Sequence, residues 1–266
     1  MSNLPVFGDS FSEYHPGGWC TFLADKLNLK LKSYGVAGSS IEYSFLKLKD
    51  TVEKKQLKDN DVVIFVFTNA HRLDLEYSLS VNPIAGIFNK IVALIKQPFV
   101  QSLSWVVENQ KFIEWYVNNR SEKLLNSKFL LHLGFIRALS YAYPTVKFLA
   151  IPAFESSFNL KNLIFKHLST KTTNLLVISA PCLFEISHAE WHLTSKRKRD
   201  KQQEKVNSEF NRDPRINHFS KSNIDILTTS LYEVITLWDE TKLNKDSFLK
   251  GILDCNIEEV PIKCMN

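Results

Sequence analysis

A serine hydroxyl becomes a nucleophile when a base can take its proton and donors face the oxyanion that its attack creates. Four turns of this chain carry residue types for that chemistry. In order they are Gly8-Asp9-Ser10-Phe11-Ser12, Gly35-Val36-Ala37-Gly38-Ser39-Ser40, Thr68-Asn69-Ala70-His71-Arg72 and Asp213-Pro214-Arg215-Ile216-Asn217-His218-Phe219-Ser220. Ser10 follows the apolar run Leu4 to Phe7, at the carboxyl end of an expected first strand, where open parallel sheets bind their ligands. The next helix directs its amino end and positive dipole toward that spot, which favours an oxyanion there. Gly8 permits the tight turn that exposes the Ser10 hydroxyl. Gly38 offers either a backbone N–H open to close approach or simply a strand-to-helix turn. Asn69 ends a buried run and is either a side-chain donor to the oxyanion or a helix cap. His71 and Arg72 fall on the rim, where Arg72 can pair with a carboxylate-bearing substrate. His218 stands just before the closing helix, on a loop able to reach across the top of the sheet, and is the candidate base.

In order and residue type these blocks resemble the four blocks of the SGNH/GDSL hydrolases, carried here by Ser10, Gly38, Asn69 and His218. The resemblance implies Ser10 as nucleophile and His218 as base. It also implies an oxyanion hole made of the Ser10 and Gly38 amides and the Asn69 side chain. The activity implied is that of an esterase, lipase, thioesterase or carbohydrate deacetylase working through an acyl-enzyme. Its substrate is a small-molecule or glycan ester, with no metal and no organic cofactor required. The last block is also similar to the Arg-x-Asn-His-x-Ser form of members from tailed phages and bacteria. Two blocks depart from the family. Phe67-Thr68-Asn69-Ala70 stands where Gly-x-Asn-Asp is usual, and Arg215 occupies the acid's place three positions before His218. Asp213 is the nearest upstream carboxylate. His218 is therefore oriented by Asp213, by a backbone carbonyl, or with help from Asn217. The same departures fit a second reading, a degenerate module that binds a ligand or protein without turnover.

Such a site needs a scaffold that brings four distant turns to one edge. Trp19, Phe22, Leu23 and Leu27 have helical spacing, Leu29 to Tyr34 alternates as a strand, and Tyr43, Phe45, Leu46 and Leu48 line a second helix. Asp61 to Phe67 is a continuous apolar run of the kind buried on both faces of a parallel sheet. Val146 to Ile151 and Leu175 to Ser179 read as two further buried strands, and a helix from about Ser222 to Trp238 closes the unit. The fold class expected is α/β: a flavodoxin-like three-layer α/β/α domain with a five-stranded parallel sheet. One domain spans 1–266, with a helical insertion at about 73–144 between strands 3 and 4 and a C-terminal arm at about 244–266. Within the insertion, Ile84, Ile87, Phe88, Ile91, Val92 and Ile95 repeat at helical spacing, as do Phe129, Leu130, Leu133 and Ile136. Two or three helices are predicted there, serving as extra layers, a cap, or a surface for a homo-oligomer.

Composition narrows the field. With 44% hydrophobic and 23% charged residues the chain is an ordinary globular protein. Nineteen Phe point to an aromatic-rich core. A net charge of +5 is mild. The basic run Lys196 to Lys205 lacks interleaved aromatics, which argues for a solvated loop rather than a nucleic-acid surface. Cys20, Cys182, Cys255 and Cys264 are too scattered for a zinc knot or a disulfide framework. His188 and His192 are four apart but lack the His-Glu-x-x-His order, so a surface helix is expected and no metal. No apolar stretch is long enough to span a membrane and no leader pattern opens the chain, so a cytoplasmic protein is expected. A virion protein, or one released on lysis, would look the same.

Overall fold

The computed structural model describes residues 2–68, 73–75, 79–81, 122–154, 172–178, 181–191 and 216–249. Its strands are β1 (Asn3–Phe7), β2 (Lys30–Ser33), β3 (Val62–Phe67), β4 (Leu73–Leu75), β5 (Leu79–Val81), β6 (Lys147–Pro152) and β7 (Leu175–Val177). Five of them run parallel in the order β2-β1-β3-β6-β7. With the β4–β5 pair set aside, this is the doubly wound flavodoxin-like order, whose switch point lies between β1 and β3. The helices are α1 (Trp19–Leu27), α2 (Ile41–Glu53), α3 (Glu122–Ala142), α4 (Leu183–Trp191) and α5 (Lys221–Leu237).

The β3 sequence VVIFVF explains why the sheet is covered on both faces. Side chains alternate along a strand. Val62, Ile64 and Val66 therefore join the core under α1, α4 and α5, while Val63, Phe65 and Phe67 join the core under α2 and α3. β6 divides the same way, with Leu149 and Ile151 on the first face and Phe148 and Ala150 on the second. The result is the expected three-layer α/β/α sandwich.

Helix ends follow local chemistry. Ser40 and Ser220 cap α2 and α5, their hydroxyls accepting from the amides of Tyr43 and Asn223, each at 3.2 Å. Asn28 and Trp238 end α1 and α5 in the left-handed conformation. Cys182 caps α4 in an unusual box: the Glu185 amide reaches its sulfur at 3.3 Å, and the Cys182 amide donates to Glu185 Oε2 at 3.0 Å.

The insertion differs from its sequence-based expectation at its start. There β4 and β5 are strands, paired antiparallel in the register Leu73↔Val81, rather than helix. α3 coincides with the last expected helix, burying Phe129, Leu133, Ile136 and Leu139. The Ile84–Ile95 stretch and the basic run at 196–205 lie outside the described residues, as does His192. After α5 the chain turns back along the sandwich, burying Leu243 and Phe248. Asn223, in the first turn of α5, bonds both the N–H and the C=O of Leu249. The first part of the expected C-terminal arm is thus packed; 250–266 lie outside the described residues. No helix among the described residues is long and apolar enough to cross a membrane.

Candidate active site

β1 delivers Ser10 to the carboxyl edge of the sheet beside the switch point. The turn that presents it is built by Asp9, which is fully buried. Its Oδ1 accepts from the Phe11 amide at 3.1 Å and its carbonyl accepts from the Ser12 amide at 2.9 Å. Its Oδ2 accepts from the Thr68 hydroxyl at 2.6 Å. A buried carboxylate needs such donors to offset its lost hydration. Here they also join the Ser10 turn to the residue that precedes Asn69. The indole of buried Trp19 donates to the Phe11 carbonyl at 2.6 Å, fixing the far side of the turn.

The second block comes to the same place. Gly38 has φ 78, the left-handed region that disfavours other residues. Beside it, the Ser39 hydroxyl donates to the Gly8 carbonyl at 2.9 Å, and the Val36 amide reaches the same oxygen at 3.2 Å. The loop after β2 is therefore latched to a residue two positions from Ser10.

The fourth block completes the pair. His218 Nε2 lies 2.8 Å from Ser10 Oγ. The backbone that puts it there is unusual, because Asn217 and His218 are both left-handed, at φ 48 and 67. Such residues persist where their surroundings over-determine them. Asn217 is one source of that constraint. Its Nδ2 donates to the carbonyls of Ser10, at 3.0 Å, and Glu13, at 3.2 Å, tying the base loop to the serine turn. Its Oδ1 is buried without a hydrogen-bond partner and rests on Gly18, where any Cβ would collide with it. Phe219 is buried just beyond, and Ser220 starts α5 directly afterwards. The Phe11 ring packs on the imidazole with centroids 4.7 Å apart.

Ser10 and His218 are both half-buried. An imidazole at this distance can accept the serine proton if its Nε2 is unprotonated. A second histidine, His15, lies in the turn between Ser10 and α1. Burial lowers its pKa against the raising influence of Glu13, and its Nδ1 accepts from the Gly17 amide at 3.0 Å. Burial pushes the Cys20 thiol well up, against a lowering backbone hydrogen bond, so it stays protonated and is no competing nucleophile.

The structure thus brings together Ser10, His218 and the Gly38 loop. Asn69, His71, Arg72 and Asp213 lie outside the described residues, so the side-chain oxyanion donor, the rim pair and the acid remain expectations from the sequence. Asp9, Thr68 and Ser39 have no role in the site expected from the sequence, yet all three build it. The available signal was an Asp two residues ahead of an amide in a turn, the pattern of an Asx-turn. Asn217 is expected only as a helper for His218, whereas its side chain binds the serine turn itself.

Fold and site together define a doubly wound α/β protein with a serine–histidine pair at the carboxyl edge of its sheet. No family model and no curated protein matches the chain. Among solved structures it is similar to a G-D-S-L family protein of Desulfitobacterium hafniense DCB-2. Identity there is 10%, over 71% of this chain and 80% of that one, with a TM-score of 0.38. It is also similar to a G-D-S-L family member from Veillonella parvula DSM 2008, at 13% identity over 80% of this chain and all of that one, with a TM-score of 0.37.

Proposed function

We propose that the protein is a serine hydrolase of carboxylic esters working through an acyl-enzyme on Ser10. The observation that carries this reading is the 2.8 Å approach of His218 Nε2 to Ser10 Oγ, on a loop with two successive left-handed residues. In the first half-reaction Ser10 Oγ bonds to the ester carbonyl carbon while its proton passes to His218. The resulting oxyanion is met by the Ser10 and Gly38 amides and the Asn69 side chain. As the carbonyl reforms, the bond to the alcohol oxygen breaks and His218 returns the proton to that oxygen. Water then repeats the sequence on the acyl-enzyme, releasing the acid and restoring Ser10. Asp213, the nearest upstream carboxylate, is the third member in this reading; it fixes the imidazole tautomer and is not itself protonated.

Labelling with a fluorophosphonate, followed by intact mass, tests the proposal. Wild type takes up one adduct; Ser10→Ala takes up none, and His218→Ala labels about a thousandfold or more slowly. A wild type that stays unlabelled beside a reactive control hydrolase would sink the esterase reading in favour of a module that binds without turnover.

A further inference from the structure

The amino end of α1 meets the loop that carries the base at two glycines. A Cβ on Gly17 would press on Cδ1 of Ile216 at 3.3 Å, and one on Gly18 would collide with Oδ1 of Asn217. Backbone conformation does not ask for glycine at position 18, whose chain is extended and open to any residue. What the position requires is room. His15 holds these glycines in place through both its carbonyl and its ring. The carbonyl accepts from the Gly18 amide at 2.9 Å and from the Thr21 hydroxyl at 2.7 Å, and Nδ1 accepts from the Gly17 amide at 3.0 Å.

Electrostatics gives a reason for the oxygen that rests there. Among the described residues Asn217 Oδ1 is buried without a hydrogen-bond partner, a state that normally carries a desolvation cost. Gly18 is the N-cap of α1, and no side-chain cap serves that helix. The amino end of a helix carries partial positive charge, so a carbonyl oxygen against it recovers part of the cost. A side-chain amide is planar. With Oδ1 seated on Gly18, Nδ2 is turned to the carbonyls of Ser10 and Glu13, which it binds. We infer that Gly18 is a positioning residue: its missing side chain seats Asn217, and through Asn217 it keeps His218 in line with Ser10. This rests on the ester-hydrolase reading of that pair.

Fluorophosphonate labelling across a range of probe concentrations, expressed per folded molecule, tests the seat. Gly18→Ala should lower the limiting rate on the order of a hundredfold, while the half-saturating probe concentration stays near that of wild type. Asn217→Gly removes the colliding atom and keeps the left-handed backbone without strain. It labels slowly in its own right, because the ties to the Ser10 turn are gone. Adding Gly18→Ala to it should change the limiting rate by less than about threefold. Gly134→Ala in α3, where a Cβ meets nothing within 4 Å, should label as wild type does. A Gly18→Ala chain that folds only when Asn217→Gly accompanies it would also support the seat. Labelling of Gly18→Ala at the wild-type rate, an equal slowing in both backgrounds, or failure to fold in both would overturn the seat and leave the hydrolase standing. A wild type that takes up no adduct would overturn the hydrolase reading and the seat's role with it.

Discussion

The two ends of the sheet use similar residues to opposite purposes. At the amino end, Asp61 is fully buried just before β3; its Oδ1 accepts from the Asn3 amide at 2.6 Å and its Oδ2 from the Lys58 amide at 2.9 Å. Asn174, just before β7, donates through Nδ2 to the carbonyls of Ser140, Tyr143 and Val146 at 2.8, 3.0 and 2.9 Å. That network closes upon itself. At the carboxyl end Asp9 and Asn217 are also buried, yet they brace a half-exposed hydroxyl and imidazole. There two consecutive residues sit in a costly conformation and a buried amide oxygen has no hydrogen-bond partner. An Asp and an Asn can either seal a domain or poise a reactive pair. Both networks end on backbone groups; the difference is that at the carboxyl end the braced backbone carries the half-buried Ser10 and His218.

Two substitutions test that contrast. Asn217→Ala removes the tie between the base loop and the Ser10 turn, so the imidazole is no longer held in line. Fluorophosphonate labelling should slow on the order of a hundredfold, the usual effect of misplacing a reacting group by an ångström. Stability should fall by only about 1–2 kcal/mol. If melting drops but labelling does not, Asn217 belongs with the sealing residues. Asp61→Ala should do the reverse. It leaves the Asn3 and Lys58 amides without their acceptor and should lower unfolding free energy by about 2–3 kcal/mol in a denaturant titration. Labelling per folded molecule should stay at the wild-type rate; a parallel loss would erase the distinction between the two ends.

The smallest effect is expected at Glu185. Burial raises its pKa, but the Cys182 amide and Lys245, whose ammonium lies 3.2 Å away, more than offset this and leave it lowered. A carboxylate with a lowered folded-state pKa contributes stability above its unfolded pKa and loses it as the pH falls through the folded value. Glu185→Gln should therefore melt slightly below wild type at pH 7, by less than about 1 kcal/mol for this partly exposed group. The two melting curves should converge as the pH drops below about 4. A gap that persists in acid would mean that packing, not charge, makes the contribution.

Much of this architecture was legible in the sequence because its strands are unbroken apolar runs. β3, β6 and β7 announce burial on both faces, and the helical pattern from about Ser222 finds the start of α5 to within a residue. The Ser10–His218 pair was legible because hydroxyl and imidazole are chemically distinctive and follow recognisable strand and helix ends. The β4–β5 pair was not, since three-residue strands give alternation too short to register. Nor was the Asn217 tie, whose acceptors are backbone carbonyls, and every residue has one. The partner of Asp9 was hidden for a related reason: a threonine after a buried strand has several equally ordinary uses.

The central pairing of the sheet also sets a timetable for synthesis. β3 pairs with β6 along its whole length, from Val62↔Lys147 to Phe67↔Pro152. The whole insertion must be translated between the two strands, which at typical rates takes roughly 4 to 17 s. β1 pairs with β3 only at Ile64 and Phe65, so for that interval one edge of VVIFVF has no neighbour. It is an apolar, uncharged six-residue segment without proline, the kind that recruits other chains when left exposed. Extra chaperone supplied during synthesis should therefore raise the yield of folded chain more than a stronger promoter does.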